Sequence, residues 1–255
     1  MPTGWDHPDT ARYYEAFCEA HGRYREANLA LVAAARLEAG QSVLDVAAGT
    51  GRTGEGALEC GCEVACMEPA GAMRDLGRRR LPQARWLAGW PAHGQRFDRV
   101  LCGAAIWQMM PLEETFAHVA EVLKPGGGFL FNVPSLYLGE VNDPGGGSDP
   151  RLLELAARLA GGRIPAAPAQ AMPPGAHDIE KLLQEAGFVP ARWCARSRLT
   201  QAALRDWMKI PVLTDALLDG IAADYRAALV DAAYAQCDPA SWRWETWTGW
   251  SAWKL

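Results

Sequence analysis

The stretch that decides the fold is Val43-Leu44-Asp45-Val46-Ala47-Ala48-Gly49-Thr50-Gly51-Arg52-Thr53-Gly54. It begins as a short apolar strand, and a turn of small residues then leads into a helical segment. Small residues let the backbone approach a ligand closely. Exposed N–H groups at the start of the helix favour a negatively charged or carboxylate-bearing ligand. A purely structural turn is the alternative.

A second acid follows at a spacing that indicates nucleoside binding. Glu68 lies directly after the next apolar strand, 63–67, and 23 residues after Asp45. An acid about 20 residues beyond a glycine-rich turn is placed to accept hydrogen bonds from both ribose hydroxyls. A solvated surface glutamate is the alternative, and the pairing of turn and acid favours the nucleoside.

Strands and helices alternate along the rest of the chain. Strands are predicted at 42–46, 63–67, 85–88, 98–102, 129–133, 188–199 and 242–255. Helices are predicted in two pieces within 8–38, and at 52–60, 70–80, 112–123, 150–160, 178–186 and within 200–236. This alternation is typical of an α/β fold with a mostly parallel sheet covered on both faces.

The length of 255 residues fits one domain with additions better than two full domains. We expect a single domain over 1–255, made of an N-terminal helical cap at 1–40, a binding core at 41–133, a lid-like insertion at 134–177, and C-terminal strands with a helical cap at 178–255. The insertion is rich in Pro and Gly, which is typical of a functional lid or a flexible insertion.

The composition excludes several classes of protein. With 49% hydrophobic and 22% charged residues, the chain is not of the disordered class. The net charge of -5 disfavours a nonspecific nucleic-acid binder. No apolar run approaches the ~20 residues of a membrane span, and the N-terminus lacks a signal-peptide pattern. Seven cysteines cannot all pair, so reduced thiols and a cytoplasmic location are expected.

Four motifs follow one another between residues 42 and 133. They are Asp45–Gly51, Glu68-Pro69 with Met73, Phe97–Val100, and Leu123-Lys124-Pro125-Gly126-Gly127-Gly128. In this order they resemble the class I S-adenosylmethionine-dependent methyltransferases. The resemblance implies a three-layer Rossmann-like fold with a seven-stranded, mostly parallel sheet and helical lid additions. It also implies S-adenosylmethionine as cofactor and S-adenosylhomocysteine as product.

The resemblance implies roles for residues of the first two motifs. Glu68 would hold the ribose hydroxyls, and the Gly49–Gly51 backbone would pack against the amino-acid part of the cofactor. Asp45 would organise the turn, or reach the cofactor's ammonium group through water. Ala47 stands where relatives usually have glycine, and we expect only a slight change in turn geometry. Pro69 and Met73 belong to the same predicted contact set.

Other cofactor contacts implied by the resemblance lie further along the chain. Gly89 and Trp90 match the position that usually holds adenine, although Trp90 fits a core tryptophan equally well. The methionine side of the cofactor would be lined by a segment that includes Ala104 and Trp107. Tyr14 would cap the cofactor's carboxylate, and Arg23 would add charge pairing.

No residue type or spacing assigns a catalytic side chain. Methyl transfer from a sulfonium depends on placing the acceptor in line, and a general base is needed only if the acceptor must lose a proton. The candidate bases are His177, in the predicted lid, and Tyr137, after the fifth strand. Asn132 and Ser135 lie on the same path, and His118 is expected at a helix surface or in packing.

Two residue clusters have a structural interpretation. Cys60, Cys62 and Cys66 lack a second ligand pair, so no metal is predicted. The tail contains Trp242, Trp244, Trp247, Trp250 and Trp253. Packing of these rings beneath helices is favoured over an aromatic wall for a planar or cationic acceptor.

The sequence therefore predicts methyl transfer from S-adenosylmethionine to a small-molecule acceptor, with no membrane partner. Nucleic acid is disfavoured as acceptor, and the oligomeric state is left open. A dinucleotide-dependent dehydrogenase is disfavoured because the turn does not match the G-x-G-x-x-G pattern. Transfer of the cofactor's aminocarboxypropyl group and noncatalytic cofactor binding are the two alternatives.

Overall fold

The computed structural model describes residues 4–140, 152–161, 174–218 and 221–255. Its strands are β1 Ser42–Val46, β2 Glu63–Met67, β3 Arg85–Leu87, β4 Phe97–Cys102, β5 Leu123–Pro134, β6 Phe188–Thr200 and β7 Trp242–Lys254. Its α-helices are α1 Pro8–Ala20, α2 Arg23–Ala35, α3 Arg52–Glu59, α4 Gly71–Arg80, α5 Leu112–Val122, α6 Leu152–Leu159, α7 Ala176–Glu185, α8 Gln201–Met208, α9 Pro211–Leu218 and α10 Ala223–Tyr234. Short 3-10 helices lie at Gly4–Asp6, Ile106–Gln108 and Ser135–Leu138.

One sheet contains the seven strands in the order β3-β2-β1-β4-β5-β7-β6. The pairs β2–β3, β1–β2, β1–β4 and β4–β5 are parallel, whereas β5 and β7 are antiparallel. The predicted α/β fold with a seven-stranded, mostly parallel sheet is therefore confirmed.

The order of the strands reverses beside β1. The chain places β2 and β3 on one side of β1 and then returns to place β4 on its other side. Asp45 pairs in register with Cys66 of β2 and with Leu101 of β4, so the carboxyl ends of all three strands lie at one edge. In open α/β sheets a reversal of this kind is where ligands bind.

Successive residues of the central strands pack on opposite faces of the sheet. Leu44 and Val100 belong to an apolar cluster with residues of α5 and α7, while Val43 and Leu101 belong to a second cluster with residues of α2 and α3. All four residues have no exposed surface. Because both faces are covered, these strands are apolar throughout rather than alternating with polar residues.

The glycine-rich turn before the fifth strand differs from its prediction. Phe97 pairs with Leu123 and Arg99 pairs with Gly128, so the intervening residues of β5 bulge out of register. Gly126, in this bulge, has a φ of +71°. The sequence predicts a strand that begins at residue 129. In the structure β5 begins at Leu123, because it pairs with β4 both before and after the bulge.

The tryptophan-rich tail forms β7, and its central rings are core residues. Trp247 and Trp250 have no exposed surface. Trp250 stacks on Phe131 of β5 at 5.1 Å, and Trp247 meets the ring of Tyr24 edge-on at 6.2 Å. The packing interpretation is confirmed for these two tryptophans.

The chain divides into two compact units. The sheet unit comprises residues 24–142, 171–196 and 246–255, and the helical unit comprises 1–23, 143–170 and 197–245. In the helical unit, residues of α6, α8 and α10 share an apolar cluster. Arg226 of α10 donates to the Pro211 carbonyl at 2.6 Å and to Asp215 at 2.7 Å, which fixes α9 against α10. The single-domain organisation of 1–255 stays a prediction.

Part of the predicted lid lies outside the described residues. Within 134–177 these are residues 141–151 and 162–173. The described remainder contains α6, which confirms the helix predicted near 150–160. No helix of the described residues has the length and apolar character that crossing a membrane requires.

Candidate functional site

The turn after β1 has a backbone conformation that favours glycine. Gly49 and Gly51 have φ values of +57° and +83°, and Ala47 has a φ of +52°. A side chain at Gly51 would also meet Leu81 at 2.7 Å. The alanine in the usual glycine position therefore keeps the left-handed turn and bears its strain.

Glu68 is tied directly to this turn. Its Oε2 accepts a hydrogen bond from the Gly49 N–H at 2.7 Å, and its Oε1 accepts one from the Ala70 N–H at 2.8 Å. The residue is buried, at 7% exposure. A carboxylate oxygen can accept more than one hydrogen bond, so this fixed carboxylate also suits the hydroxyl pair of a ribose.

Asp45 holds the other end of the turn. Its Oδ2 accepts from the Gly54 N–H at 2.8 Å, a contact through which Asp45 could organise the turn. Its Oδ1 is buried and has no hydrogen-bond partner among the described residues. Burial raises the pKa of this carboxyl to about 7, although the Gly54 N–H lowers it. An unpartnered acceptor beside a nucleoside-type turn fits a ligand that brings a cationic donor, as S-adenosylmethionine does.

The segment after β4 is held from a distance along the chain. Ala104 has a φ of +53°, and its N–H donates to Asn132 Oδ1 at 2.7 Å. Asn132 Nδ2 donates to the Ala27 carbonyl of α2 at 3.0 Å. Sequence reasoning gave Asn132 no such role. Its one signal is a polar residue within the apolar strand 129–133.

Two predicted residues meet beyond the ends of β4 and β5. The rings of Trp107 and Tyr137 contact each other edge-on, with centroids 5.0 Å apart. Both are partly buried against the core cluster that contains Val100. The pair places an apolar surface and one phenol at the same strand edge as Asp45 and Ala104.

At the predicted adenine position, the ring of Trp90 is already stacked on another ring of the protein. Trp90 stacks on His118 of α5 at 5.1 Å, with the rings 12° from parallel. His118 is exposed at the helix surface, as predicted, and its Nδ1 bonds to the Glu114 carbonyl at 2.8 Å. Gly89 is exposed, and a side chain there would meet nothing within 4 Å. The Trp90–His118 stack therefore leaves open space around Gly89.

The remaining residues of the second motif flank Glu68. Pro69 is exposed, and its carbonyl accepts a hydrogen bond from Arg74 at 2.9 Å. Met73, in α4, is buried at 3% exposure. Their roles as cofactor contacts stay predictions.

The remaining candidates are Tyr14, Arg23 and His177. Tyr14 belongs to α1 of the helical unit, where its ring meets Trp5 edge-on at 5.7 Å. Arg23, in the same unit, donates two hydrogen bonds to Glu245, at 2.7 and 2.6 Å. His177 is exposed in the first turn of α7. Their roles toward cofactor or acceptor stay predictions.

Two of the three clustered cysteines are buried in the core, whereas Cys60 is exposed. Cys62 and Cys66 both belong to the apolar cluster beside α2 and α3. Burial raises the pKa of the Cys66 thiol above its ordinary value. Within the ranges that the structure describes, no three His, Cys, Asp or Glu side chains are grouped as metal ligands.

Comparison with known sequences identifies relatives over part of the chain. A family model described as a methyltransferase domain matches residues 18–191. A demethylmenaquinone methyltransferase of Renibacterium salmoninarum is 34% identical over 92 residues, which cover 34% of this chain and 39% of that protein. An uncharacterized methyltransferase of Mycobacterium tuberculosis is 34% identical over 113 residues, 42% of this chain and 46% of that one. The chain thus matches less than half the length of these curated relatives.

Comparison with solved structures extends the likeness over most of the chain. A methyltransferase of Geobacter sulfurreducens, solved with S-adenosylhomocysteine, aligns over 96% of this chain and 98% of its own, with TM-score 0.54 and 16% identity. Phosphoethanolamine N-methyltransferase 2 of Haemonchus contortus, solved with phosphomonomethylethanolamine and S-adenosylhomocysteine, aligns over 89% and 52%, with TM-score 0.51 and 16% identity. At such identities the likeness shows a shared fold.

Proposed function

Because the chain belongs to the class I S-adenosylmethionine-dependent methyltransferases, we propose that it transfers the methyl group of S-adenosylmethionine to a small-molecule acceptor by in-line attack. The observation that carries this proposal is the pair of hydrogen bonds from the Gly49 and Ala70 N–H groups to Glu68. They fix one carboxylate beside a left-handed glycine turn, as ribose recognition requires.

The residues of the strand edge divide the binding work. Glu68 holds the ribose hydroxyls, the Gly49–Gly51 backbone packs against the amino-acid part, and Asp45 keeps the turn in place through Gly54. Groups fixed in this way position a ligand without reorganisation when it binds.

The chemistry asks little of the chain beyond positioning. S-adenosylmethionine supplies an electrophilic methyl group on a sulfonium sulfur. The Trp107–Tyr137 pair excludes water at the ends of β4 and β5, and its apolar surface receives the acceptor. Where the acceptor must lose a proton, Tyr137 and His177 are the candidate bases.

Two observations support a small acceptor. The net charge of -5 opposes binding to a phosphate backbone. The names of the relatives state small acceptors for those proteins, demethylmenaquinone and phosphoethanolamine. The seven free cysteines support a reducing compartment such as the cytoplasm as the place of the reaction.

Calorimetry and label transfer test the proposal together. Purified protein should bind both S-adenosylmethionine and S-adenosylhomocysteine. With methyl-labelled cofactor and fractionated metabolites, the label should appear on an acceptor.

Absence of binding to either nucleoside contradicts the proposal at its base. Transfer of a label carried on the aminocarboxypropyl carbons, with the methyl label left on methylthioadenosine, indicates the other group transfer. Tight binding with no transfer to any fraction indicates a cofactor-sensing protein instead.

A further inference from the structure

One buried polar group near the proposed site is used by none of the contacts above. Asn28, in α2, is 7% exposed. Its side-chain carbonyl oxygen Oδ1 is buried and accepts no hydrogen bond from any residue that the structure describes. A buried acceptor left in this state is costly, and such groups in folded proteins mark a missing partner.

The position of this oxygen is set by Gly103, the residue directly after β4. A Cβ placed on Gly103 would lie 2.6 Å from Asn28 Oδ1 and 2.2 Å from Thr53 Oγ1. Both oxygens therefore lie close to Gly103, and a side chain there would displace them. Asn28 of α2 and Thr53 of α3 thus converge on the carboxyl end of β4.

The backbone of α2 beside Asn28 is tied to the sheet. Asn132 of β5 binds the carbonyl of Ala27, the neighbouring residue of α2, at 3.0 Å, and binds the Ala104 N–H at 2.7 Å. The same amide thus ties α2 to the segment that follows Gly103. Asn28 therefore projects, buried, from a fixed part of the helix rather than from a mobile surface segment.

The polar side chains at this edge of the sheet share one chemical property. Asn28 Oδ1 and Asp45 Oδ1 are both buried acceptors without a partner among the described residues, and the Thr53 hydroxyl can accept as well. Acceptors without donors match an ammonium group, which has three N–H donors and no acceptor. Asp45, on the neighbouring strand β1, is a second such acceptor at this edge of the sheet.

We propose that Asn28 recognises the α-ammonium group of the cofactor's amino-acid part through its side-chain oxygen. This inference rests on the proposed function, because it takes S-adenosylmethionine as the ligand. It makes Asn28 a specificity residue: ligands with the amino-acid part gain a contact that 5′-methylthioadenosine, which lacks that part, does not make.

Calorimetry with three probes tests the inference without any measurement of turnover. The probes are S-adenosylhomocysteine, its analogue without the amino group, and 5′-methylthioadenosine. Asn28→Leu should weaken S-adenosylhomocysteine at least tenfold and leave the other two within twofold of wild type. Leu29→Ala, which changes the exposed neighbour on the same helix, should change none of the three affinities.

The stability of the free protein gives a second readout. Leucine has the same branched heavy-atom skeleton as asparagine and removes the unpartnered acceptor, so the Tm of Asn28→Leu without ligand should equal or exceed that of wild type. A lower Tm together with equal weakening of all three probes would assign Asn28 a structural role and overturn the inference.

The outcomes separate this inference from the function on which it rests. Unchanged affinity of Asn28→Leu for S-adenosylhomocysteine overturns the inference alone. Equal affinity of wild type for S-adenosylhomocysteine and 5′-methylthioadenosine also overturns it and leaves nucleoside binding intact. Failure of wild type to bind any of the three removes the proposed function itself.

Discussion

The turn after β1 and the segment after β4 both contain an alanine with positive φ, but different side chains hold the two in place. Each contains an alanine in the left-handed region, Ala47 with φ +52° and Ala104 with φ +53°. The first is held by two carboxylates, Glu68 on the Gly49 N–H and Asp45 on the Gly54 N–H. The second is held by a neutral amide, Asn132, on the Ala104 N–H.

The difference lies in how far along the chain the partners come from. Asp45 and Gly54 are 9 residues apart, and Glu68 and Gly49 are 19 apart. Asn132 binds Ala104 across 28 residues and Ala27 across 105. A short-range arrangement leaves a readable motif, whereas the long-range one depends on the assembled sheet.

The largest expected effect on stability comes from removing the long-range hydrogen bonds that Asn132 makes. Asn132→Leu leaves the Ala104 N–H and the Ala27 carbonyl without partners at a position with no exposure. We expect a loss of about 2–6 kcal/mol in the free energy of unfolding, since each of the two buried unsatisfied groups costs about 1–3 kcal/mol. Urea denaturation measures this loss.

Ser135→Ala is the matched control for that variant. Ser135 is also buried near the end of β5, but its hydroxyl hydrogen-bonds to a side chain, that of Thr248, at 2.7 Å. Thr248 keeps its hydrogen bond to Glu140, so the expected loss is about 1 kcal/mol. Equal losses for the two variants would contradict the bridging role of Asn132.

The stability of the protein should depend on pH through Asp45, which holds the turn after β1. Burial raises the pKa of Asp45 to about 7, so the folded protein keeps a proton that the unfolded chain loses above about pH 4. The stability that this proton supplies is complete below about pH 4 and is lost as pH rises toward 7. Each unit of raised pKa corresponds to about 1.4 kcal/mol.

Asp45→Asn isolates this dependence. Asparagine keeps an oxygen for the Gly54 N–H and carries no charge, so its stability relative to wild type should increase between pH 4 and pH 7. Denaturation curves at several pH values measure the difference. Parallel pH profiles for the two proteins would show that Asp45 is ionised without penalty in the fold.

Glu68→Ala sharpens the comparison in binding rather than in stability. We expect at least a tenfold loss of affinity for S-adenosylhomocysteine, since hydrogen bonds to a charged group contribute about 1.5–3 kcal/mol. Glu63→Ala is the control. It changes an exposed acid at the start of β2, the strand that Glu68 follows, and should leave affinity unchanged. Calorimetry that finds the two variants equal would remove Glu68 from the site.

The smallest expected effect on stability concerns the alanine with positive φ that each of the two regions contains. Ala47→Gly and Ala104→Gly should each raise the stability by about 1 kcal/mol, because glycine relieves the left-handed strain. Ala48→Gly is the control, since Ala48 is not among the residues with positive φ and gains only flexibility in the unfolded chain. A gain at position 48 as large as at 47 would refute the strain argument.

The sequence was sufficient for features whose partners are close in the chain. The order of strands and helices, the turn after β1 and the acid at the end of β2 follow from local periodicity and spacing. The start of β5 was missed because its first residues pair with β4 on both sides of the Gly126 bulge, which is visible only in the register. Asn132 and Asn28 are single polar residues in apolar segments, and their meaning depends on contacts made after folding.

The place of β7 in the sheet has a consequence for how the molecule is made. β7 lies between β5 and β6, yet it is translated after β6. A ribosome-bound chain that ends before Trp242 therefore exposes an unpaired edge on β5, and β6 has no neighbour to join. The sheet is completed only after β7 leaves the ribosomal exit tunnel, and β6 can join the sheet only at that stage.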